Sequence, residues 1–85
     1  MQWTKEHVEL AMFYSADLDG VDLNLVSLVG VDLTCAHMAG ANLTGANLYR
    51  ASMVAANLMG ATMNGALLVR SDMLKARLFM GELVA

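Results

Sequence analysis

The side chains best placed to do chemistry together are Cys35 and His37, two residues apart, with Asp32 nearby. A thiol beside an imidazole can act as a nucleophile with its base, or supply two metal ligands. Either use needs further groups. The chain has one cysteine and, besides His37, only His7, so no second thiol or ligand cluster completes a site. The pair is therefore read as scattered surface residues, and His7 as a solvated residue of the N-terminal segment. Asp17, Asp19, Asp22 and Asp32 are dispersed, so no two carboxylates suggest an acid and a base. No glycine motif could cradle a phosphate. The reading is a non-enzymatic chain with no cofactor and no metal.

What positions these residues is a period. From Ala41 to Arg70 the chain runs ANLTG ANLYR ASMVA ANLMG ATMNG ALLVR. Leu43, Leu48, Met53, Leu58, Met63 and Leu68 fall at every fifth place, each two residues after an alanine. In a helix a step of five turns by about 140° net, so these residues share no face. In a flat strand an odd step flips the side chain to the other side. A chain that bends through about a right angle every five residues solves both problems. Four such repeats close a coil of 20 residues, with the Ala and the Leu or Met both inward and the residue between them outward. The last two residues of each repeat make the corner, where glycine (Gly40, Gly45, Gly60, Gly65) eases a tight bend.

These repeats resemble the pentapeptide-repeat family, whose pattern is A-(D/N)-L-x-x. The phase extends back through VDLTC, VSLVG, VDLNL and ADLDG to Ala16, and forward through SDMLK, ARLFM and GELVA to Ala85. Ala11–Ser15 reads as one more repeat, with Phe13 in the leucine slot. The resemblance implies an all-β fold, a right-handed quadrilateral β-helix of just under four coils. The expected division is an N-terminal segment over 1–10 and the β-helix over 11–85. Thr4 is expected to cap a short helix through Leu10, whose Trp3, Val8 and Leu10 side would lie over the first coil. The alternative is an irregular start to the coil.

Stacking places residues 20 apart above one another. The inner columns become Phe13/Leu33/Met53/Met73, Leu18/Met38/Leu58/Leu78, Leu23/Leu43/Met63/Leu83 and Leu28/Leu48/Leu68. Asp17, His37, Asn57 and Arg77 form an outward ladder, read as an aid to register.

The chain is 58% hydrophobic, yet polar residues recur every few positions and no run reaches the roughly 18 apolar residues a spanning helix needs. MQWTKEHVEL lacks an apolar core, so it does not read as a signal peptide. A lone cysteine fits a reducing cytoplasm. The net charge of −3 is too small to name a partner, but it is unevenly spread. Residues 1–40 carry six acids and one base, whereas residues 41–85 carry four bases and two acids.

The repeat runs in phase to Ala85, so the last coil is expected to present open strand edges and the Leu78 and Leu83 layer, which recruit another chain. Late outward residues form an apolar patch with a basic rim. Its partner-binding candidates are Tyr49, Arg50, Val69, Arg70, Leu74, Phe79 and Leu83. Together these point to a structural and interaction module that self-associates, as a dimer through C-terminal coils or as a head-to-tail filament, or that meets another protein. Neither direct nucleic-acid binding nor membrane insertion is expected. The resemblance offers an alternative, a DNA mimic that binds DNA gyrase, but Arg50, Arg70, Lys75 and Arg77 interrupt the negative surface that it would need.

Overall fold

The computed structural model describes residues 2–13, 17–78 and 82–84; of Phe13 and of 82–84 it describes the backbone. One α-helix, α1 (Lys5–Phe13), precedes a β-helix. Each straight run in the β-helix is so short that only β1 (Thr62–Asn64) and β2 (Glu82–Val84) form named strands. The remainder pairs by single parallel bridges, all in one register: Asp22 with Asn42, Ser27 with Asn47, Asp32 with Ser52, His37 with Asn57, and onward to Asn57 with Arg77. β1 and β2 keep the same step of 20, Met63 lying beside Leu83. A turn every five residues and a register of 20 give four faces. The first contains 17–20, 36–40, 56–60 and 76–78, and the others follow in order around the coil.

The corners have one geometry. The amide of Val26 donates to the Leu23 carbonyl at 3.1 Å, and this three-residue turn recurs, for instance from Ala46 to Leu43 at 3.0 Å. At every fifth residue from Gly20 to Lys75 the backbone is left-handed, with φ between 59° and 73°. A positive φ at the third residue of a four-residue turn is the type II arrangement. Six of these corners are glycine and six are not: Leu25, Cys35, Arg50, Ala55, Arg70 and Lys75.

The second residue of the repeat also has a local task. The Oδ1 atoms of Asp17, Asp22, Asp32, Asn42, Asn47, Asn57 and Asp72 each accept the amide two residues on, at 2.8–3.1 Å. A short Asx side chain reaches that amide and holds the entry to the turn. In the Asp17/His37/Asn57/Arg77 column the backbones pair from coil to coil, His37 with Asn57 and Asn57 with Arg77, while the side-chain bonds of Asp17 and Asn57 stay within their own repeats. Side-chain links between coils do occur on the second face, where the Thr62 hydroxyl donates to Asn42 Oδ1 at 3.0 Å.

The interior is as the period requires. Leu18, Leu23, Leu28, Leu33, Met38, Leu43, Leu48, Met53, Leu58 and Met63 are fully buried. The alanines that open each repeat from Ala36 to Ala66 line the same core, and no polar side chain is buried among the described residues. Each enclosed Leu or Met stabilises the fold by roughly 1.5–3 kcal/mol relative to exposure. Burial fades towards the last coil: Leu68 and Met73 are partly buried, and Leu78 is 38% exposed.

The N-terminal segment caps the first coil. His7 N donates to Thr4 Oγ1 at 3.3 Å, and Thr4 N donates back to His7 Nδ1 at 3.1 Å. This is the reciprocal arrangement of a capping box, with an imidazole in place of the usual glutamate. The helix runs three residues beyond the expected boundary, so Ala11–Phe13 is helical and not a further β-helix repeat. The reason is spacing: Val8, Ala11 and Met12 stand at i, i+3 and i+4 and pack together on the core. Leu10, expected over the coil, lies on the other side of the helix and is exposed.

Candidate interaction surfaces

The residues with chemical potential do not converge. Cys35 occupies a left-handed corner and is exposed. His37 points outward from the first face. The Asp32 carboxylate accepts bonds from the Thr34 hydroxyl and, at 3.0 Å, the Thr34 amide, which hold it below the usual carboxylate range. It is thus occupied by its own turn rather than by Cys35 or His37. No group of three potential metal ligands occurs among the described residues.

Five of the seven partner candidates gather around one corner of the late coils. Tyr49 is half-buried, and the Arg50 guanidinium lies over its ring, 5.4 Å from the centroid. Val69 stacks one coil on and is 62% exposed, with Arg70 exposed beside it. Leu74, also exposed, lies just past Arg70 on the fourth face. The coils are held there by the Arg50 amide, which donates to the Val69 carbonyl at 3.2 Å. Phe79 lies outside the described residues. Leu83 is described in its backbone alone, paired with Met63.

Two exposed residues belong with this group. Leu67, 54% exposed, stacks on Asn47 in the middle of the third face. Leu25, 71% exposed, sits on the corner leading into that face and lies over Gly45. Leu67 was visible as the one repeat between Ala41 and Arg70 with leucine in place of a polar second residue. Leu25 was harder to see, because a leucine at the fifth place looks like a second core residue until that place is known to be a corner.

The described residues thus form a four-sided β-helix with an apolar interior and apolar side chains on an outer face. The pentapeptide repeats profile matches in eight copies, over residues 27–65 and 36–73, and the chain belongs to the pentapeptide repeat family, whose fold is the right-handed quadrilateral β-helix. Similar solved structures include two pentapeptide repeat proteins. One is Rfr23, a pentapeptide repeat protein of the cyanobacterium Cyanothece 51142, 27% identical with a TM-score of 0.57 over 75% of this chain and 50% of that one. The other is a pentapeptide repeat protein of the Arabidopsis thaliana thylakoid lumen, 32% identical with a TM-score of 0.58 over 73% of this chain and 40% of that one. The chain thus spans half or less of the length of these relatives. Among curated proteins the sequence finds no match. No helix among the described residues is long and apolar enough to cross a membrane.

Proposed function

We propose that this chain is a non-catalytic interaction module, a β-helix of just under four coils that self-associates through its C-terminal coil. The observation that carries this reading is the graded loss of burial: Leu58 and Met63 are sealed, Leu68 and Met73 are partly open, and Leu78 is 38% exposed. An apolar layer of this kind gains free energy when a second coil covers it. The cap formed by α1 over the first coil supports a dimer through C-terminal coils over a head-to-tail filament, which would need both ends open. Exposed Arg50, Arg70, Lys75 and Arg77 weigh against the DNA-mimic alternative. The exposed free thiol of Cys35 supports a reducing compartment such as the cytoplasm. Sedimentation equilibrium tests the reading: the wild type associates with rising concentration and Leu78→Glu does not. A wild-type monomer at all concentrations, or a Leu78→Glu dimer of undiminished affinity, overturns it.

A further inference from the structure

We propose that the third face is a second, separate docking surface, and that it takes an acidic, apolar segment of a partner protein. The four faces differ in charge. The first carries Asp17 and Asp19, the second Asp22 and Glu82, and the fourth Asp32 and Asp72. The third, made of 26–30, 46–50 and 66–70, has no acidic residue. It does carry Arg50 and Arg70, one above the other at its edge. Neither guanidinium forms an ion pair with a described residue.

Apolar exposure is concentrated on the same face. Leu67 and Val69 lie on it and Leu25 on its leading corner, three of the six exposed large hydrophobic residues among those described. Tyr49, half-buried between Val29 and Val69 in the stack, continues the strip. An exposed apolar strip with a polar rim marks a contact surface. The Arg50 guanidinium lies over the Tyr49 ring at 5.4 Å, so a positive charge sits directly beside the apolar strip, and arginine can take a carboxylate by two parallel bonds.

Charge complementarity chooses the occupant. A second copy meeting this face through its own third face would bring arginine towards arginine and supply no acid. A lipid or nucleic-acid phosphate would match the arginines and leave Leu25, Leu67 and Val69 unused. A segment that carries apolar and acidic side chains on the same face satisfies both halves of the surface. In an extended segment that face holds every second residue, so the acidic and apolar residues must come in pairs along the chain.

The probe is an acetylated octapeptide of repeating Leu-Leu-Glu-Glu, which shows both side-chain types on each face when extended, titrated by calorimetry. Two control peptides repeat Leu-Leu-Lys-Lys and Ser-Ser-Glu-Glu. The leucine–glutamate peptide binds, more weakly as salt rises, and the two controls bind at least tenfold more weakly. Arg50→Glu with Arg70→Glu, and separately Leu67→Ser with Val69→Ser, each lower its affinity by about tenfold or more. All four residues lie outside the sealed core, and circular dichroism verifies that the variants fold. Leu78→Glu, which removes the proposed self-association, leaves the peptide affinity unchanged, so the two surfaces fail or stand separately. The proposal is overturned by no binding of the leucine–glutamate peptide, by equal binding of the lysine peptide, or by undiminished affinity in the arginine variant. It is also overturned if the arginine variant instead dissociates a dimer, since the face would then be a self-contact.

Discussion

Two adjacent corners offer a test in which one pair of residue types is exchanged in opposite directions. Ala55 and Gly60 both end a repeat, with φ of 59° and 73°. Left-handed backbone costs a non-glycine residue roughly 1–2 kcal/mol. Against this, alanine restricts the unfolded chain and so gains about 0.4–1 kcal/mol relative to glycine. At Gly60 an added Cβ would meet only the Gly40 backbone, at 3.9–4.0 Å, which is ordinary contact. Gly60→Ala should therefore destabilise by about 0.5–1 kcal/mol, the difference between those two terms. Ala55 is exposed, and its amide bond to the Leu74 carbonyl survives substitution. Ala55→Gly should stabilise by a similar amount, and each change should move the melting midpoint by a few degrees, about 4–8 °C per kcal/mol in a domain of this size. Urea unfolding with unchanged slope measures both. Shifts of the same sign, or a stabilised Gly60→Ala, would refute the claim that corner conformation, rather than side-chain contact, governs these positions.

Other outcomes follow from the same structure. Leu58→Asp places an unpartnered charge in the sealed core and should abolish folding, read as loss of the native circular dichroism and of a cooperative melt. Thr4→Ala removes the hydroxyl that caps α1 and should cost about 0.5–2 kcal/mol in urea unfolding. Because the Asp32 carboxyl is held below its ordinary 3.8 in the fold, its contribution is present above that value and is lost as pH falls through the lowered one. Wild type should therefore lose stability relative to Asp32→Asn on acidification below about pH 4, by a small amount because the group is exposed. Urea midpoints of the two proteins across that range measure the gap, and a gap that does not change with pH contradicts the assignment.

The sequence made the interior legible for a specific reason. Leucine or methionine at every fifth place, with alanine two before it, admits one packing, and every such residue from Leu18 to Met63 is buried. The corners were half legible. Glycine marked them, but Leu25, Cys35, Arg50, Ala55, Arg70 and Lys75 share the same left-handed backbone, because each is the third residue of a turn closed by the next residue's amide, whatever the side chain. The role of Asp and Asn at the second place was also hidden, since a bond to an amide two residues on leaves no trace in a spacing pattern. The end of α1 was misplaced because Phe13 fits the leucine phase of the repeat as well as it fits a helix. Only the packing of Val8, Ala11 and Met12 on the core decides between them. As for the surface, the Tyr49–Arg70 cluster followed from stacking by 20, whereas Leu25 joined it only once its corner was known.

That division of labour bears on how surface function is written into such a chain. Two inward residues per repeat fix the coil, and a short acceptor at the second place secures the turn. The fifth place is freely exposed but carries a conformational cost for anything other than glycine. Glycine at the head of the third-face corner column, Gly30, shows the unstrained choice, with φ of 70°. The two residues stacked next in that column are both arginines, held at φ of 59°. Neither is offset by an ion pair among the described residues, and both guanidiniums are exposed. Arg50 recovers part of the cost through its contact with Tyr49, worth about 0.5–1 kcal/mol at an exposed site. Arg70 has no such ring contact among the described residues. Folding alone would favour glycine at that position, so the residue is better explained by what it meets outside the chain, and a carboxylate beside Leu67 and Val69 is the group that its charge and surroundings select.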